Sequence, residues 1–242
     1  MSYFMLDAKN SGNCKILTGR IMFYMFYVSD PYNSWTKASA TAASKDCEWS
    51  IQKIKKEAKR DKVFLQCLVH EEHVMIDRVM KNVNAAECQE QIARKLGNCS
   101  MSEFSNQMER KYAVNSIVYV YLLNRSGRSF AMPTIGQSSN AEKVVLFPPF
   151  RPSFIHEVMH LYGAADYYYP ERLKSVAQRI FPRSVMLTAS EYGEIDEMTR
   201  YLIGWHLQPT DKARMFMSET NTITRDEVNM CIDHEWKETN QP

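Results

Sequence analysis

The stretch His156–Asp166 reads HEVMHLYGAAD, and its spacing organises the reading of the whole chain. On a helix, His156 and His160 stand four residues apart, so both imidazoles leave one face and can hold one metal ion of the zinc type. Glu157 adjoins the first histidine and can reach a water at that metal without being a ligand. Gly163 can take positive φ, which ends the helix and turns the chain sharply. The turn lets Asp166 return as a third ligand. Three protein ligands leave a fourth position open, as catalytic zinc sites do and structural sites do not. With 6 histidines in the chain, H-E-x-x-H arises by chance in roughly one such sequence in a hundred. The glycine and aspartate at fixed offsets lower those odds further.

The third ligand has rivals in Glu171, Glu191, Glu194 and Glu197. A later glutamate completes the site in the gluzincin pattern, where the first helix runs on past the second histidine. Gly163 argues for an early helix end, and so for Asp166.

Twenty residues beyond Asp166 lies Met186, in PRSVMLTAS. With this methionine the chain resembles the metzincin clan of zinc peptidases, which carry H-E-x-x-H-x-x-G-x-x-H/D and then a tight turn bearing a methionine. His156, Glu157, His160, Gly163 and Met186 match, and Asp166 matches the snapalysin-like branch in which aspartate replaces the third histidine. The resemblance covers about residues 143–206. It implies an α/β (α+β) fold: a twisted, mixed five-stranded sheet with an antiparallel edge strand, an active-site helix, a methionine turn and a C-terminal helix. It further implies one Zn²⁺ per chain, Glu157 as general base and a peptide or protein substrate. An extended substrate would pair with the edge strand near 129–135, at Ala131 and Met132. Residues 187–192, with Thr188 and Tyr192, would line the pocket past the cut bond. Some metzincins carry a tyrosine two residues after the turn methionine; here that position is Thr188, and the spacing gives Tyr192 no such role. Two other function classes stay open: a weakly catalytic binding protein of this fold, and a zinc hydrolase of a non-peptide amide or ester. An intact Glu157 argues against the first.

The chain's 242 residues suffice for one domain with a full core, and 45% apolar with 24% charged residues is ordinary for a globular chain. No linker, repeat or low-complexity segment divides it, so one metallopeptidase domain is expected: an upper, sheet-bearing part at about 15–163 and a lower part at about 164–242. A net charge of +2 offers no basis for a nucleic-acid partner. No apolar run reaches membrane-helix length. The N-terminus, MSYFMLDAKNSGNCK, lacks the basic, apolar and small-residue succession of a signal peptide, which reads as cytoplasmic, or as secreted after removal of a signal. Oligomeric state leaves no mark. The cysteines Cys14, Cys47, Cys67, Cys88, Cys99 and Cys231 form no C-x-x-C pair and read as reduced, partly buried thiols. Cys14 lacks the surrounding sequence of a cysteine that caps a latent zinc.

Hydrophobic patterning predicts a strand over 15–28, a helix over 34–60 capped by Ser34, a strand over 62–70, helices over 84–96 and 101–111, and strands over 115–123, 129–136 and 144–147. Pro133 confines the penultimate strand to an edge, and Pro152 suits the first turn of the motif helix. A helix over 193–207 and a last one over 222–238 complete the expectation. VHEEHV at 69–74 has its histidines three apart, pointing to opposite faces of a strand, and fits no metal motif. His206 sits where a helix-end carbonyl could accept from it. His234 and Glu235 read as a solvated helix end.

Overall fold

A computed structural model describes residues 4–10, 14–133 and 142–228. Its centre is a strand, β1 (Gly19–Ser29), whose segment IMFYMFYV is buried throughout. The continuous apolar run follows from position. β1 is flanked on both sides by parallel neighbours, β2 (Leu65–Met75) and β3 (Ser116–Leu123), and both its faces are covered. Ile21, Phe23, Met25 and Tyr27 face one core; Met22, Tyr24, Phe26 and Val28 face the other. β5 (Lys143–Leu146) adds in parallel to β3, and β4 (Phe130–Met132) adds antiparallel to β5. The result is a five-stranded, mostly parallel sheet in the order β2-β1-β3-β5-β4. The mixed α/β class and the antiparallel edge strand are those expected.

Helix α1 (Lys37–Arg60) packs on one face of the sheet together with α4 (Phe150–Leu161), which carries the motif. On the other face lie α2 (Ala85–Lys95) and α3 (Met101–Tyr112). Beyond α4 come α5 (Glu171–Ile180), α6 (Glu197–Leu202) and α7 (Asp211–Thr220). No described helix is long and apolar enough to cross a membrane.

Several expectations need correction. The cap of α1 is Thr36, not Ser34: its hydroxyl accepts from the Ser39 amide while the Ser39 hydroxyl accepts from the Thr36 amide. β2 starts at Leu65 and runs on through VHEEHV, where His70 lies against Tyr24 and His73 against Tyr27, on opposite faces. The helix expected over 193–207 shrinks to α6. Glu194 is used instead in a bridge, its carbonyl accepting from Val185 N–H and its amide donating to Arg183 O. Asp196 then caps α6 by accepting from the amides of Met198 and Thr199, and Gly204 at φ +85° follows the helix end. Helices α5 and α7 were not foreseen. β4 ends before Pro133; residues 134–136 of the expected strand, and 229–238 of the expected last helix with Cys231, His234 and Glu235, lie outside the described residues. His206 pairs with Asp61, at 3.5 Å, rather than with a carbonyl.

Candidate metal centre

Helix α4 is apolar on nearly every side, since it lies between α1 and the β4–β5 edge; Phe154, Ile155, Val158 and Met159 are fully buried. Within this apolar packing, His156 and Glu157 are also buried. The helix ends in a Schellman arrangement: Gly163 N–H donates to His160 O at 3.0 Å and Ala164 N–H to Met159 O at 3.1 Å. Gly163 holds φ at +94°, and a Cβ there would stand 2.7 Å from the Ala8 carbonyl oxygen. The cap also presents the Ala164 carbonyl to the second histidine, whose Nδ1 donates to it at 2.9 Å.

His156 Nδ1 donates to the carbonyl of Val185 at 2.9 Å. A carbonyl only accepts, so both imidazoles donate from Nδ1, which turns the two Nε2 atoms inward towards Asp166 as the atoms that could ligate a metal. The two Nε2 atoms lie 3.3 Å apart. Asp166 Oδ1 lies 3.2 Å from each of them. Tetrahedral ligands at zinc distances stand about 3.3 Å from one another, and this near-equilateral triangle matches that spacing. Asp166 Oδ1 is buried and accepts no hydrogen bond, although such an atom is costly unless paired. Its partner oxygen, Oδ2, accepts from the Tyr168 hydroxyl at 2.8 Å. The donor set therefore fits a zinc ion, with one oxygen facing the metal position and the other tied back. The Glu157 carboxylate lies within 4.8 Å of both imidazoles.

The electrostatics follow from burial and proximity. Burial alone would pull both histidines down, but the Asp166 carboxylate outweighs it, raising His156 and taking His160 up to about 9. Burial would lift Asp166, and the two imidazoles more than reverse this, holding it well below the usual carboxylate range. Burial raises Glu157, against the opposing pull of the histidines.

The turn that holds Met186 meets these residues through its backbone. Ser184 N–H donates to Phe181 O, and Leu187 N–H to Ser184 O, which tightens residues 181–187. The Val185 carbonyl thereby meets His156, and the Met186 carbonyl accepts from Tyr167 N–H at 2.9 Å, next to Asp166. The Met186 side chain is fully buried in the core. Asp196 accepts from the Ser184 hydroxyl at 2.5 Å and from the Tyr167 hydroxyl at 3.3 Å, so one buried carboxylate braces both segments.

A cleft of about 440 Å³ opens over these residues, walled by Arg128–Ala131, Pro133, Ser153, Tyr168 and Ala189. Of the substrate residues expected, Ala131 lines it. Met132 packs with the core on the opposite face of the sheet. Thr188 and Tyr192 are absent from the lining, and Tyr192 is 76% exposed; Ala189 of the same loop takes part instead. The rival glutamates point elsewhere: Glu171 pairs with Lys174, Glu191 with Arg151, Glu194 with Arg183 and Glu197 with Lys212. The Cys14 thiol is buried against Ile117 O. Cysteines 14, 47, 67, 88 and 99 are free thiols. Tyr168 and Arg128 were missed, and only the tyrosine's place two residues after Asp166 could have drawn notice.

No family model matches the chain, and no curated protein matches it. Among solved structures, it is similar to metalloproteinase-II from Bacteroides fragilis, with a TM-score of 0.39 and 12% sequence identity, over 65% of this chain and 46% of that one. The chain thus spans less than half the length of that protein.

Proposed function

We propose that this protein is a zinc-dependent endopeptidase. The observation that carries the reading is the triangle of His156 Nε2, His160 Nε2 and Asp166 Oδ1, its carboxylate oxygen buried without a hydrogen-bond donor, with Glu157 beside it. The sequence of capping glycine, aspartate and methionine turn supports a place beside the aspartate branch of the metzincins, with the whole chain as one metallopeptidase domain.

His156, His160 and Asp166 would hold the metal. Zinc bound there supplies Lewis acidity, which polarises a carbonyl and makes water easier to deprotonate. Glu157 takes the proton of the attacking water and returns it to the leaving amine. Burial, by raising its pKa, moves this carboxylate towards the range in which one group can perform both transfers. Tyr168 keeps Asp166 Oδ2 occupied, so that Oδ1 alone faces the metal position. Peptide recognition falls to β4, the last strand in the sheet order, beside which an extended chain would add through main-chain hydrogen bonds. Ala131 faces the cleft and leaves room for the substrate.

The test is elemental analysis combined with peptide-library digestion. The expected result is one zinc per chain and internal cleavage, with both lost in His156→Ala and His160→Ala. Stoichiometric zinc in either variant, or no hydrolysis by the zinc-loaded wild type, contradicts the proposal.

A further inference from the structure

We propose that Lys53 is a positioning residue: it fixes one wall of the cleft, and with it the preference for the substrate side chain that lies against that wall. The inference rests on the zinc-peptidase reading and adds how the site selects. After Met186 and Leu187 the chain leaves the core. Thr188, Ala189 and Tyr192 are exposed, and the chain returns to a buried position at Gly193. Ala189 lines the cleft, so the place of this loop sets the width of the opening beside the donor triangle. Within itself the loop makes one turn, Gly193 N–H donating to Ser190 O at 3.0 Å and Tyr192 N–H to Ser190 Oγ at 3.2 Å. Such a turn fixes the loop's own shape and not its place on the protein.

The fastening comes from α1. Lys53 Nζ donates to the carbonyls of Glu191 at 2.5 Å and of Gly193 at 2.6 Å, so one ammonium holds two carbonyls of the turn. Lys53 Nζ stands 5.4 Å from the centre of the Trp49 ring, and the Arg151 guanidinium 5.3 Å from the same ring. Arg151 in turn donates to Asp46 at 2.7 Å and pairs with Glu191 at 3.5 Å, and its carbonyl accepts from the Ser50 hydroxyl at 3.2 Å. Asp46, Trp49, Ser50 and Lys53 recur three or four residues apart, as one stripe of α1 that meets the first turn of α4 and the loop. Hydrogen bonds from a cation are roughly twice as strong as neutral ones. The Arg151–Glu191 pair is longer and partly exposed, so Lys53 is the stronger side-chain tie. The Val185 segment that meets His156 is held separately, by its pairing with Glu194. Loss of the ammonium therefore frees the loop and leaves the metal ligands in place.

The experiment compares wild type with Lys53→Met, which keeps the stem beside Trp49 and removes the donors, and with Lys53→Arg, which restores them. Amide hydrogen exchange over 187–194 is read first, without substrate. Lys53→Met should exchange there at least about tenfold faster than wild type, as for one charge-assisted hydrogen bond lost, with α4 unchanged. Cleavage is then measured on a peptide library varied one position at a time on both sides of the cut bond. In Lys53→Met, KM should rise and the preference at one position should flatten. The other positions, kcat for the best peptide and the zinc content should stay near wild type. Lys53→Arg should recover exchange protection and preference together. A merely structural role would lower the active fraction, and so kcat for every peptide alike, and leave the preference standing. That outcome, unchanged exchange over 187–194, or a freed loop with unaltered preference overturns the inference. The peptidase reading fails separately. A wild type whose loop Lys53 protects but which cleaves no peptide removes the activity and any selection with it. Cleavage by wild type, with loop and preference unmoved in Lys53→Met, removes the role of Lys53 alone.

Discussion

Replacing Tyr168 with phenylalanine removes one hydroxyl and keeps the ring, which lies stacked at 25° and 6.3 Å from the His156 ring. The lost contact is the 2.8 Å hydrogen bond to Asp166 Oδ2. Burial and the Asp166 charge both raise the phenol's pKa, so it remains a donor throughout the working pH range. A hydrogen bond to a charged group contributes about 1.5–3 kcal/mol net. The bond exists with or without metal, so most of this sum belongs to the stability of the metal-free protein. Only the part that orients Oδ1 reaches zinc affinity. Contacts that orient metal ligands are typically worth 10–100-fold in affinity, and the lower end, about tenfold, is expected here. Competition with a chromophoric chelator at neutral pH measures the affinity, and denaturant unfolding of the metal-free form measures the remainder. A variant within about threefold of wild type in affinity and unchanged in stability refutes the idea that this hydroxyl aims the aspartate.

The third ligand is tested by comparing Asp166→Ala with Glu191→Ala and Glu194→Ala. The first should lose zinc strongly and the others should bind as wild type, since their carboxylates pair with Arg151 and Arg183. Lys143 is expected to make stability pH-dependent. Burial lowers its ammonium from 10.5 to about 8, so the unfolded chain binds the extra proton between those values and stability rises with pH across that window. Lys143→Met should therefore stabilise by up to about 3 kcal/mol more at pH 7 than above pH 10.5; equal gains at both pH values, by chemical denaturation, would contradict the burial effect.

What the sequence disclosed depended on how local the signal was. The motif is local: spacing along one helix turn and one glycine sufficed to place His156, Glu157, His160 and Asp166 together. β1 and β3 were legible because strands covered on both faces must be apolar throughout. The reach of α6 was not legible. Ile195 and Trp205 are buried and fall at helical spacing, yet Glu194 is engaged by Arg183 and Val185, and Asp196 caps a helix that starts only at Glu197. Helix α5 did leave a trace, since Leu173, Ala177 and Ile180 are spaced as one buried face behind Pro170. Tyr168 was hidden in the run of tyrosines at 167–169. Nothing in that run tells that Tyr167 is buried beneath the turn while Tyr168 meets Asp166; only the pairing of Tyr167 N–H with Met186 O decides it. The same applies to Val185, whose contribution is a carbonyl that any residue carries.

The central claim is that a carboxylate next to the metal ligands moves the protons of a hydrolysis. Glu157→Gln tests it most directly, because the amide keeps the shape and cannot act as a base. The variant should fold, hold one zinc and bind peptide, and its hydrolysis rate should fall by at least about 10²–10⁴-fold, the usual contribution of general acid–base catalysis. Peptide cleavage at a near wild-type rate by purified, zinc-loaded Glu157→Gln protein would contradict the account.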